Sequence, residues 1–150
     1  MPNENCFSMM ILQSEVDITV RFSETDAMGV VWHGNYLKFF EDAREKFGLD
    51  YGMEYLDVYA KGFFTPIVKS EINHKTTVNY GENVKVQATL ERHDAAKIVF
   101  RYTVWNTTTN KIAATGMTMQ VFMNAETREL ELAKPEFYEA WETNQNWINE

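Results

Sequence analysis

One stretch of helical spacing, followed by a long stretch of strict alternation, constrains this chain most. Tyr36, Phe40, Ala43 and Phe47 recur at helical spacing, and Leu37 and Phe39 widen the stripe, which predicts a helix over 35–47. Asn35 is the expected N-cap and Gly48 the expected exit. A shorter helix is expected over about 51–61. From Phe63 the period changes to two and stays there. Strands are expected over 63–75, 84–90, 98–105 and 113–123, with Pro66 near the start of the first, where proline is tolerated. Upstream, Val16, Ile18, Val20 and Phe22 alternate with polar residues and predict a strand over 15–22. A last helix is expected over about 135–148, with Phe137, Trp141 and Ile148 roughly on one side. Consecutive strands joined by short turns pair antiparallel, and one long apolar helix is the natural cover for such a sheet. The expected class is α+β, as one domain over residues 1–150 with its core at about 15–125.

In the last long strand, Ala113, Thr115, Met117, Met119, Val121 and Met123 are expected to share a face, as core rather than as a cofactor box. Gly116 marks a bulge or a close backbone approach. A sheet wrapped on one helix leaves strand edges open, so pairing with further copies is expected.

The chain has 150 residues, enough to bury a core without staples. Its net charge of −8 argues against nucleic acid as a partner, because phosphates are repelled. Cys6 is the sole cysteine, so an intramolecular disulfide and a cysteine metal cluster are excluded, and a loose N-terminal thiol is expected. Residues 1–13 make a poor secretory signal and no apolar run reaches membrane-spanning length, so a cytoplasmic protein without membrane contact is expected. No metal-ligand spacing is present, and scattered histidines such as His74 and His93 rarely converge.

The loop over 23–34 is unusual. Ala27, Met28, Val30, Val31 and Trp32 make it apolar, whereas loops exposed to water are usually polar. Such a loop is expected to lie against the core and to carry function.

Within it, Thr25-Asp26-Ala27-Met28-Gly29-Val30-Val31-Trp32-His33-Gly34-Asn35-Tyr36-Leu37, followed by Phe40-Glu41-Asp42-Ala43-Arg44, resembles the signature of hotdog-fold acyl-CoA thioesterases of the 4-hydroxybenzoyl-CoA thioesterase family. The likeness covers about residues 15–125. Met28 stands where small residues are common in that family, a departure that narrows the pocket. The resemblance implies an antiparallel sheet wrapped around a central helix, and hydrolysis of an acyl-CoA to free acid and coenzyme A. It implies no cofactor beyond the coenzyme A carried by the substrate, and a homodimer or homotetramer with sites between subunits.

Thioester hydrolysis needs a carboxylate to attack the carbonyl or activate water, and donors for the oxyanion that forms. The resemblance assigns the first role to Asp26, as nucleophile or general base. It assigns the second to backbone N–H groups at His33 and Gly34, where a helix start leaves amides unpaired. The bland alternative for Asp26 is a turn aspartate held by local amides. The His33 imidazole is expected at most to orient neighbours. Glu41 is a second carboxylate candidate, although an ion pair with Arg44 is the favoured reading of it. Val31, Trp32 and Tyr36 are the candidate acyl contacts. Arg92, His93 and Lys97, flanking one strand connection, are candidate phosphate contacts, with Lys69 and Lys75 weaker. Two other outcomes stay open: an acyl-CoA binder or sensor without catalysis, and a thioesterase acting on acyl groups carried by a protein.

Overall fold

A computed structural model describes residues 9–150. Cys6 lies outside them. The first strand, β1 (Met10–Thr19), leads through a 3-10 turn (Phe22–Glu24) and the apolar loop into α1 (Asn35–Tyr51) and the short α2 (Tyr55–Ala60). Then follow β2 (Phe63–Phe64), β3 (Ile67–His74), β4 (Asn83–Glu91), β5 (Lys97–Asn106), β6 (Lys111–Asn124) and β7 (Leu130–Glu131). The chain ends with α3 (Glu136–Thr143) and β8 (Ile148–Asn149). The strands form one antiparallel sheet in the order β2-β6-β5-β4-β1-β8, and β3 pairs with β6 beside β2. The sheet wraps the long helix, as the α+β hotdog reading expects.

The helix holds this arrangement through its apolar stripe. Phe39, Phe40 and Ala43 have no exposed surface, and Tyr36 and Phe47 almost none. Each such phenylalanine contributes about 1.5–3 kcal/mol through burial. Phe40 stacks on Tyr102 of β5, with centroids 4.1 Å apart and planes 5° from parallel. Opposite them, a Cβ on Gly116 of β6 would sit 2.6 Å from the Phe40 ring and 2.5 Å from the Glu71 carbonyl oxygen. The expected close approach at Gly116 is therefore real, and its cause is the aromatic pair.

Several boundaries differ from the pattern reading. The first strand ends at Thr19, and Phe22 turns out to solvent at 78% exposure because the 3-10 turn takes over. Helix α1 continues through Gly48 to Tyr51 and stops at Gly52, whose φ of 69° favours glycine. Gly48 is instead a packing glycine, since a Cβ there would lie 2.9 Å from the Met53 carbonyl oxygen. The expected strand over 63–75 is two pieces, broken at Thr65-Pro66. The expected terminal helix ends at Thr143, and Ile148 belongs to a strand.

The facing of β6 is the largest correction. Ala114, Gly116 and Thr118 pair with Val104, Tyr102 and Phe100, the helix-facing residues of β5. From Ala114 on, the even positions therefore meet the helix and the odd positions face away from it, although Ala113 at the register shift is fully buried in the core and Met117 is buried as well. A register shift at Val104/Trp105 makes strict alternation misleading at the start of β6.

Candidate functional site

The loop around Asp26 is a small two-stranded ribbon pinned by main-chain bonds. The Asp26 amide donates to the Val30 carbonyl (2.9 Å) and the Gly29 amide to the Asp26 carbonyl (3.0 Å). Gly29 makes the turn with φ 76°. The ribbon is fixed outward by Val31 N–H to Val78 O (2.8 Å) and Tyr80 N–H to Gly29 O (3.2 Å). It is fixed inward by Trp32 N–H to Glu24 O (2.9 Å). Asp26 is half-buried, and its Oδ1 accepts the Met28 amide at 2.8 Å. The turn role is therefore real but uses one oxygen only: Oδ1 shapes the turn, and Oδ2 has no protein partner among the described residues.

The start of α1 lies directly after this ribbon. Gly34, not Asn35, is the N-cap. Asn35 is buried, and its side-chain Nδ2 donates to the Glu24 carbonyl at 2.7 Å. That bond ties the first helical residue to the strand of the ribbon leading to Asp26. Glu24 is itself buried and accepts the Arg21 amide at 2.8 Å. Sequence reasoning misses both positioning residues. An asparagine before an apolar helix reads as a cap, and only the fold shows its amide turned back.

The His33 and Gly34 amides have no backbone acceptor among the described residues. With the helix dipole behind them, they form an electropositive spot suited to a developing oxyanion. The His33 ring is exposed and lies 4.8 Å from the Trp32 indole. The indole covers Gly34 so closely that a Cβ would lie 2.1 Å from it. Glycine at this position therefore keeps Trp32 over the helix start.

The other candidates fall in different places. Val31 is buried in the core and supports the ribbon from below, whereas Trp32 is 49% exposed. Tyr36 is buried, with its ring 5.1 Å from that of His74 at the end of β3. Burial pushes the Tyr36 hydroxyl pKa up, so it remains a neutral phenol at neutral pH.

Glu41 and Arg44 do not form the favoured ion pair. Arg44 donates from Nη1 to the Tyr102 hydroxyl (2.9 Å), which is 2.6 Å from Thr118 Oγ1. Glu41 is left exposed at the wall of a cavity of about 640 Å³ between α1, α2 and the sheet. That cavity runs from Thr65 and Ile67 beside the β3 edge, past Gln120, Ile98 and Phe100, to Leu90. Its volume lies within the usual range for small-molecule sites. Asp26 does not line it. The ribbon packs beside the loop before β4, while Leu90 is the last residue but one of that nine-residue strand. The ribbon and the Leu90 end of the cavity therefore sit at opposite ends of the sheet, roughly 23 Å apart along β4.

The β4–β5 connection is at the cavity end too, so within one chain Arg92, His93 and Lys97 do not reach Asp26. Arg92 Nε lies 3.8 Å from Glu142 Oε2 and its guanidinium covers the Trp147 ring. His93 Nε2 lies 3.3 Å from Glu91 Oε1. Lys97 forms no salt bridge among the described residues. Lys69 pairs with Glu71 at 3.2 Å on the outer face, and Lys75 is exposed. Among the described residues no helix is long and apolar enough to cross a membrane.

Comparison with known proteins agrees with this architecture. Residues 20–141 match the family described as the thioesterase-like superfamily. YneP of Bacillus subtilis, a protein named as an acyl-CoA thioesterase, is 38% identical over 93 residues, 62% of this chain and 67% of its own. A 1,4-dihydroxy-2-naphthoyl-CoA hydrolase of Thermosynechococcus vestitus is 29% identical over 99 residues, 63% of this chain and 66% of its own. The solved structure of a DHNA-CoA thioesterase from Staphylococcus aureus superposes with a TM-score of 0.78 at 30% identity, over 87% of this chain and 89% of that one. A sheet wrapped around one long helix is thus shared with proteins named for one chemistry, and the chain belongs to the thioesterase-like superfamily as a hotdog-fold thioester hydrolase.

Proposed function

We propose that this protein hydrolyses acyl-CoA thioesters with Asp26 as the attacking or water-activating carboxylate. The observation that carries the reading is the pinned ribbon, which leaves Asp26 Oδ2 without a protein partner among the described residues and leads into a helix start whose His33 and Gly34 amides have no backbone acceptor among them. In this reading the thioester carbonyl oxygen points at those amides. Asp26 either adds to the carbonyl carbon, giving an anhydride that water cleaves, or takes a proton from the attacking water. Both routes release coenzyme A and the free acid. Tyr36 and Trp32 flank the reacting group, and Val31 supports them.

The acyl slot is the cavity beside Glu41, supplied by a second copy. Strand β3 pairs on one side with β6, and no strand among the described residues covers its other edge. Pairing antiparallel with another β3 across a two-fold axis sets Ile67 of one copy opposite the partner's His74. His74 packs on Tyr36 at the start of α1. The two-fold therefore brings the partner's Asp26 end to the cavity mouth at Thr65, Ile67 and Glu41, and each dimer has two composite sites. Glu41 then faces the reacting centre from the other subunit. Lys97 is the strand-connection cation free to take a coenzyme A phosphate, whereas Arg92 and His93 are held by carboxylates.

A thiol-release assay over aliphatic and aromatic acyl-CoAs, with wild type and Asp26→Asn in parallel, tests the reading. Asparagine keeps the Oδ1 that accepts the Met28 amide, so the ribbon is retained. Loss of turnover in a folded variant supports the assignment, and full turnover in it refutes the assignment.

A further inference from the structure

The cavity has an aromatic wall contributed by the C-terminal arm. Tyr138 and Trp141 of α3 line it together with Phe47, Leu90, Ile98 and Phe100. Tyr138 is buried against Phe122 (4.9 Å between centroids), and Trp141 packs on Tyr138 (5.4 Å) and Phe47 (6.4 Å). Polar groups are concentrated elsewhere in the lining, at Glu41, Arg44, Glu45, Glu54, Thr65 and Gln120. The space therefore grades from a polar side near the open strand edge to an apolar end.

This wall is fastened from several directions. Trp141 Nε1 donates to the Tyr51 carbonyl at the end of α1 (2.8 Å), and Trp147 Nε1 donates to the Glu142 carbonyl (2.7 Å). Glu142, nearly fully buried, takes Lys134 Nζ at 2.8 Å and lies beside Arg92. Lys134 also donates to the His93 carbonyl. Strand β8 then pairs with β1. An arm held by a buried ion pair, two indole N–H bonds and a strand pairing is a fixed stop, not a moving cover.

We infer that Trp141, backed by Tyr138, is the stop that sets the maximum length of the acyl group this enzyme accepts. The inference rests on the proposed placement of the acyl group in this cavity. An acyl chain entering past Glu41 extends its methyl end toward the indole. Each methylene that no longer fits in such a pocket lowers specificity by roughly tenfold or more. The matching substrate class is a medium-length or compact acyl group whose far end is apolar.

The test is a series of saturated acyl-CoAs from acetyl to palmitoyl, assayed by thiol release with wild type, Trp141→Leu and Trp141→Phe. Trp141→Phe keeps an aromatic ring against Phe47 and guards against a variant that does not fold. The expected result is a sharp fall in kcat/KM beyond one chain length in wild type. That limit moves longer in Trp141→Leu and by a smaller step in Trp141→Phe. The same series titrated calorimetrically into Asp26→Asn, with and without Trp141→Leu, reads the limit through affinity and needs no turnover. An unchanged limit in both formats, with the variants folded, overturns the inference and leaves the Asp26 assignment standing. Absence of thiol release from wild type with a shifted binding limit supports the stop and refutes the hydrolytic reading.

Discussion

The two ends of α1 are built by opposite means. At its N-terminus the Asp26 ribbon is held by main-chain bonds, and large apolar side chains around it stand in solvent: Phe22 at 78%, Met28 at 79% and Tyr80 at 61% exposure. At its C-terminus, Phe47, Trp141, Tyr138 and Phe122 pack ring on ring under α3, over a buried ion pair. The first end positions backbone and leaves large apolar side chains exposed. The second packs rings into the far wall of the cavity. Main-chain pinning and side-chain packing thus fall at different ends of one helix, so the two can be perturbed separately.

The strongest break of that separation is at Asp26. Asp26→Asn is expected to lower kcat by roughly 100- to 10,000-fold with little change in melting temperature, measured by thiol release and calorimetry on the same preparation. Glu142→Gln should do the reverse. It leaves Lys134 buried without a counter-charge, so unfolding in urea should show a loss of about 3 kcal/mol. Turnover of a short acyl-CoA per folded molecule should persist, and a matching collapse of turnover would refute the separation.

Asn35→Ala sharpens the comparison with a smaller effect. The Glu24 carbonyl keeps the Trp32 amide but loses the Asn35 donor, which costs about 1 kcal/mol. The ribbon is then less firmly registered on the helix start, and kcat is expected to fall about tenfold with KM nearly constant.

The smallest effect expected is at Asp42. Burial, then the nearby carboxylates of Glu45, Glu24 and Glu41, raise its pKa. The folded state thus binds this proton more tightly than the unfolded chain. The stability that gives is fully present below the unfolded pKa and lost as pH rises through the folded one. Asp42→Asn should therefore raise the melting temperature slightly at neutral pH, with the gain vanishing as pH falls below the carboxylate range. A gain that grows on acidification would contradict that sign.

What the amino-acid pattern reveals follows the same division. The helix stripe from Tyr36 to Phe47 and the alternation of β4 and β5 are repeated signals, and each predicted the correct facing. Strand β6 did so only in part: Ala113 is core as expected, but a single register shift at Val104/Trp105 breaks the alternation of cross-strand partners, so the helix-facing positions after it are the even ones. At the site, Asp26, His33 and Gly34 stand out through an ordered motif. The roles of Asn35 and Glu24 depend on a bond spanning eleven residues, which no local propensity encodes. The fate of Arg92 was equally hidden. A cation near a strand connection looks free until the arm carrying Glu142 and Trp147 folds back over it.

The main-chain pinning of the Asp26 ribbon also bears on how such a protein can change over generations. Five main-chain bonds hold it, from Asp26 to Val30, Gly29 to Asp26, Val31 to Val78, Trp32 to Glu24 and Tyr80 to Gly29, and none of the five uses a side chain. Ala27, Met28 and Trp32 can therefore be exchanged without releasing the carboxylate from its place. Lineages are free to vary the side chains of this loop while inheriting its main-chain geometry unchanged.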